Sequence, residues 1–188
     1  VIKAILLLVA ILAPAPAWAG AGGLGNIDVT ISSGIPNYQR LKSQDEKYFI
    51  AFTTGTIGTS EADAWLFVNR STNTVSAYLE FMDLSVLTSG AIVTVRAYRN
   101  AVVTSSGTPV SLFPGNLGGT SVSKMEVYKA PSISSRGTLV YVRGGASGTN
   151  RFDFNQSRIV PPGATFILTG QSSSANTSVM VSMEWVEE

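Results

Sequence analysis

After residue 47 the chain alternates apolar and polar positions with a period of two, broken by short Gly, Pro, Asn and Ser/Thr clusters. Tyr48–Thr54 is aromatic and β-branched, and Ala62–Asn69 carries Trp65 and Phe67 on one face. Val75–Leu84 sets Tyr78 and Glu80 against Leu79 and Phe81. Ala91–Arg99 sets Ile92, Thr94, Arg96 and Tyr98 against Val93, Val95 and Ala97. Such patterning predicts strands with one face on a core and one on solvent. NRSTN (Asn69–Asn73) and LTSG (Leu87–Gly90) supply turn chemistry. Further strands are predicted at Leu139–Arg143, on either side of a turn at Pro161-Pro162-Gly163, and at Thr177–Val186.

The strongest organising signal is a repeat. TVRAYRNAVVTSSGTPV (Thr94–Val110) returns as KMEVYKAPSISSRGTLV (Lys124–Val140). Tyr98 matches Tyr128, Arg99 matches Lys129, and Gly107-Thr108 matches Gly137-Thr138. Each copy reads as a strand ending in Tyr-Arg/Lys, a polar turn closed by Gly, and a new strand, so two tyrosine-capped hairpins are expected. SLFPGNLGGTS (Ser111–Ser121) between them reads as a long loop at one end of the fold, and GGASGTN (Gly144–Asn150) as a mobile one. The expected architecture is all-β: an antiparallel sandwich of about eight strands, jelly-roll or Greek-key-like.

The N-terminal region is different in kind. VIKAILLLVAILAPAPAWA has one lysine, a short apolar run and small residues at Ala17 and Ala19, the order of a secretory signal. The expected organisation is a signal-like hydrophobic helix at 1–19, a linker or extended arm at 20–47, and a β-sandwich domain at 48–188. Ala4–Ala13 is short for a bilayer span, so any membrane contact is expected only through this segment if it stays uncleaved. GAGGLG (Gly20–Gly25) spells a dinucleotide-binding pattern but has neither a preceding strand nor a following helix, and reads as linker. NIDVTIS (Asn26–Ser32) has the alternation of a strand that could add to a neighbour's sheet or open its own.

Composition narrows the chemistry. There is no histidine and no cysteine, which removes imidazole bases, Ser-His-Asp triads, His or thiolate metal sites and disulfides. Thirteen Lys+Arg against twelve Asp+Glu, with no basic run, leave nothing to draw in nucleic acid. Glu61 and Asp63 share a strand face, but at its exposed start they read as solvated charges rather than a glycosidase pair. Glu80 and Asp83 fall on opposite faces of a regular strand. Asp153, Asn155 and Gln156 offer too few carboxylates for calcium, and Arg151 and Arg158 are expected to pair with Asp153 or to meet a neighbouring subunit. Tyr98 and Tyr128 with Trp65 and Trp185 spell either an aromatic platform for sugars or rings packed in the core and at sheet ends. No catalytic, cofactor or metal residue is assigned. The candidate assembly or ligand contacts are Tyr98, Tyr128, Trp65, Trp185, Arg151 and Asp153.

YRNAVVTSSGT (Tyr98–Thr108), YKAPSISSRGT (Tyr128–Thr138), the intervening PGNL, then RFDF, PPGATFIL and the terminal MEWVE occur in an order that resembles small β-sandwich proteins of tailed-bacteriophage particles and prophages. The resemblance spans about Tyr48–Glu188. It implies a non-enzymatic decoration, fibre or tail-associated subunit that is oligomeric. The signal-like N-terminus points instead to an exported surface protein. The expected function is therefore self-assembly on a virion or cell surface, as a trimer or filament, with a capsid or cell-surface glycan as partner. The alternative is a secreted glycan-binding module.

Overall fold

The computed structural model describes residues 46–116 and 118–188, without the side chains of Asn155 and Gln156, and every regular element among them is a strand. The signal-like segment and nearly all of the arm, Asn26–Ser32 included, lie outside the described residues, as does the amide half of the Asp153, Asn155, Gln156 group.

Thirteen strands are described: β1 (Tyr48–Ile57), β2 (Ala62–Asn69), β3 (Ala77–Val86), β4 (Val93–Arg99), β5 (Val102–Ser105), β6 (Thr108–Pro109), β7 (Leu112–Pro114), β8 (Met125–Lys129), β9 (Ser132–Ser135), β10 (Thr138–Gly145), β11 (Gly148–Val160), β12 (Thr165–Ser172) and β13 (Thr177–Glu187). They form a five-stranded sheet of order β11-β3-β13-β1-β7, a six-stranded sheet of order β10-β4-β12-β2-β8-β6, and a β5-β9 ribbon. Without β5–β9, the eight remaining strands lie as β1-β13-β3-β11 facing β2-β12-β4-β10, all antiparallel. That is the strand order of a jelly roll, two Greek keys folded together. The expected sandwich is present. The additional strands come from the repeat region inserted between β4 and β10.

The core follows the predicted alternation on β4 and β13. On β3 a register shift at Glu80 breaks it and puts Phe81, expected beside Leu79, on the outer face under Arg151. Val93, Val95 and Ala97 of β4 point inward against Leu79, Met82, Leu84 and Val86 of β3 and Val179, Val181 and Met183 of β13. Trp185 is fully buried among them, its ring 6.2 Å from Phe49 in a stacked pose and 5.4 Å from Phe67 edge-on. The indole N–H donates to Glu187 at 3.1 Å, so the polar edge of the ring is satisfied inside the core.

The repeat does not form two hairpins. Each copy lends its second strand to the other. β6 of the first copy pairs with β8 of the second, Thr108 opposite Lys129 and Pro109 opposite Tyr128. β10 of the second pairs with β4 of the first, Thr138 opposite Arg99 and Leu139 opposite Tyr98. The middle strands β5 and β9 pair with one another. The six-stranded sheet is thus pseudo-symmetric about the β12–β2 pair. Asn100 N–H donates to Thr165 O at 3.0 Å on one side, and Ala130 N–H to Ala64 O at 2.8 Å on the other. Asn100 and Ala130 take matching positive φ of 59° and 51°. The physical reason is steric: Gly107 and Gly137 lie so close to the opposite copy's turn that only a residue without Cβ fits.

Two loops are also corrected. Leu112–Pro114, expected as loop, adds β7 to the free edge of β1. Gly144–Asn150, expected as mobile, is mostly strand on either side of a tight turn. The Asn150 amide donates to Ala146 O at 2.9 Å and Gly148 O at 3.2 Å, and Gly148 takes a φ of 106°.

Candidate functional site

The outer face of the six-stranded sheet carries both repeat tyrosines, each tied to a carboxylate held by arginine. Tyr98 donates to Glu61 Oε1 at 2.9 Å, and Thr169 donates to the same oxygen at 2.6 Å. Arg136 lies 3.1 Å from Glu61 and 2.7 Å from Asp63, with Arg96 3.6 Å from Glu61. On the pseudo-symmetric side Tyr128 donates to Glu126 Oε2 at 2.6 Å, and Arg70 grips Glu126 through two bonds of 2.6 and 2.9 Å. Burial pushes the Glu61 carboxyl up, but the Thr169 and Tyr98 hydroxyls and the Arg136 and Arg96 charges outweigh it and hold it below the ordinary range. The Arg70 bond does the same for Glu126, against some loss of hydration. Partial burial, with a carboxylate acceptor, raises Tyr98; for Tyr128 the Glu126 acceptor is the larger cause.

These carboxylates are saturated by cations and phenols, so Glu61 and Asp63 are not the freely solvated charges expected. Glu61 is held below the ordinary carboxylate range, the opposite of what an acid catalyst needs. Among the described residues no group of three His, Cys, Asp or Glu converges as a metal site would require.

The four aromatics do not assemble into a platform. Trp65 and Trp185 are buried in the core and present nothing to a partner. Tyr98 and Tyr128 sit on strands separated by β12 and β2, three inter-strand steps or about 14 Å, with both hydroxyls engaged. Arg151 pairs with Asp83 rather than Asp153, through bonds of 2.9 and 2.8 Å, and its guanidinium lies 4.0 Å over the Phe81 ring. Asp153 is exposed on β11, opposite Phe81. Glu80 is buried at a register shift of β3.

The outer face of the five-stranded sheet is divided. Towards β11 it is charged, with Arg151, Asp83 and Asp153. Towards β7 it is apolar: Phe52 (54% exposed) stacks on Phe113 (43% exposed) with ring centres 5.7 Å apart, and Met180 (38% exposed) continues the strip. The pairing of Ile50 with Phe113 across β1 and β7 and of Thr54 with Met180 across β1 and β13 puts these side chains on one face. Between the halves, Glu184 accepts a hydrogen bond from the Tyr48 hydroxyl, and burial pushes its carboxyl up to about 7. None of Phe52, Phe113 or Glu184 stood out in the sequence. The available signal was YFIAF, in which both faces of one strand are apolar, more than a single core can absorb.

The fold and these surfaces define a jelly-roll sandwich with an exposed apolar strip on its five-stranded sheet. Among solved structures, the chain is similar to the Yersinia pseudotuberculosis-derived mitogen, at 16% identity over 73% of this chain and 85% of that one, with a TM-score of 0.34. It is also similar to a chain of the nora virus structure (11% identity, 73% and 55% covered, TM-score 0.22). A third likeness is to the infectious bursal disease virus VP2 subviral particle (8%, 73% and 38%, TM-score 0.12). At these scores the likenesses carry no argument about function, and the jelly-roll assignment rests on strand order. No protein-family model matches the chain, and no curated protein matches it.

Proposed function

We propose that this chain is a non-enzymatic assembly subunit, a surface component of a virion or of an exported filament, that associates with copies of itself through the β7–β1 side of its five-stranded sheet. The observation that carries the reading is the exposed strip of Phe52, Phe113 and Met180. Contiguous apolar side chains on a sheet face mark an association surface. A second copy is the partner of choice because the strip holds no charge needing a counter-charge, and burying it desolvates little polar surface. The resemblance of the repeat and C-terminal motifs to phage-particle sandwiches supports the virion form of the proposal.

Light scattering of the chain beside Phe52→Glu and Phe113→Glu tests it. Wild-type trimers or filaments that become monomers in either variant, with unchanged circular dichroism, are expected. A wild-type chain monomeric at every concentration would refute the reading.

A further inference from the structure

The inward-facing rows of the two sheets, apolar along most of their length, each reach an arginine at the same end of the sandwich. On β4 the row runs Val93, Val95, Ala97, Arg99. On β11 it contains Phe152 and Phe154 and, past the register shift, Arg158, which lies opposite the core residue Leu79. The two guanidinium groups therefore come from opposite sheets to one mouth. That mouth is a pair of adjoining hollows of about 460 and 430 Å³, which share Arg99, Ile159, Val160 and Phe166. Each falls within the size range of small-molecule sites.

The lining divides by chemistry. Buried Val160 and Phe166 form an apolar floor continuous with the core. Leu139 (47% exposed) and Ile159 (53% exposed) form an apolar rim. Arg99 and Arg158 supply two positive charges, and no described residue lining either hollow is Asp or Glu. Arg70, Arg96, Arg136 and Arg151 each have a carboxylate within 4 Å; among the described residues Arg99 and Arg158, like Arg143, form no such pair. Arg158 Nε is buried without a hydrogen-bond partner, and among the described residues its Nη1 donates to the Ser157 carbonyl at a long 3.4 Å. Two like charges at one partly desolvated mouth repel, and an unpartnered guanidinium N–H loses hydration without return. An anion between them relieves the repulsion and offers oxygens to the guanidinium edges that line the hollow.

We propose that this mouth binds an amphiphilic anion: a carboxylate or phosphate head between Arg99 and Arg158, with an alkyl body over Val160, Phe166 and the Leu139–Ile159 rim. The site is independent of the assembly strip, which lies at the opposite edge of the five-stranded sheet. Arginine suits both heads because its planar fork meets two oxygens at once.

Calorimetric titration of the full chain with decanoate, decyl phosphate, decanol and acetate tests the site. Decanoate or decyl phosphate is expected to bind roughly tenfold or more tightly than decanol, and to lose about that factor in Arg99→Gln and in Arg158→Gln. Acetate, with no body, should bind far more weakly. The preferred head, carboxylate or phosphate, names the ligand class. Sedimentation with phosphatidylglycerol vesicles, abolished by the same variants, would place that head on a lipid. Ile159→Ser guards against loss of fold: it leaves both charges in place and should weaken decanoate while sparing the thermal midpoint. Equal affinity for decanol, wild-type binding in both arginine variants, or no binding of any amphiphile or vesicle would overturn the proposal.

Discussion

A methyl group added at Gly107 would stand 2.3 Å from the Lys129 carbonyl oxygen, and one at Gly137 2.2 Å from that of Arg99. Both glycines also hold φ near +80°, at 87° and 78°. Backbone strain and overlap with immovable main chain add, so Gly107→Ala and Gly137→Ala should each cost about 2–4 kcal/mol in urea unfolding. Similar losses at both sites are expected because the two environments are copies of one another. Ala130 is the converse case. It occupies the left-handed region that its counterpart Asn100 tolerates better, so Ala130→Gly should stabilise by up to ~1 kcal/mol. Glu184 gives the pH dependence its sign. With its folded pKa raised from 4.5 to about 7, the folded chain keeps a proton that the unfolded chain has released between those values. Stability therefore falls as pH rises from 4.5 to 7 and is level above. Half-burial limits the effect to about 1–2 kcal/mol. Glu61 and Glu126, held low, act oppositely: their contribution is present above 4.5 and is lost as pH falls through their folded values. Thermal melts should show a maximum near pH 5, and Glu184→Gln should flatten the slope above it.

At the scale of elements, the repeat stabilises the six-stranded sheet by exchange rather than by duplication. β6 and β10 each extend the sheet beyond the other copy's first strand, so neither copy closes a sheet by itself. Disrupting one copy should loosen the other. In hydrogen exchange, Gly107→Ala is expected to lower protection in β8, which faces it, and in β9, paired with the same copy's β5. Loss confined to residues 102–110 would show the copies to be independent. The repeat was plain in the sequence, but its pairing was not. A strand-turn-strand reads locally as a hairpin, and alternation records which side chains face the core, never which strand lies alongside. β7 was missed for a related reason: three residues between Pro-Gly and Ser/Thr neighbours carry too little pattern to outweigh the loop signal around them.

For the whole molecule, period-two alternation, absence of helical periodicity after residue 47 and regularly spaced turn residues were enough for an antiparallel sandwich with Trp65 and Trp185 able to sit in its core. These are local properties, written in the order of neighbouring residues. The absence of histidine and cysteine was equally legible, since it needs no geometry. The tertiary structure alone decided the jelly-roll order, the capture of Glu61 and Asp63 by Arg136, the exposed Phe52–Phe113 stack, and the meeting of Arg99 with Arg158 at one mouth. Each of these depends on residues dozens of positions apart being brought into register. Such register is set by the collective fit of the two sheets around one core, a quantity that no single segment contains.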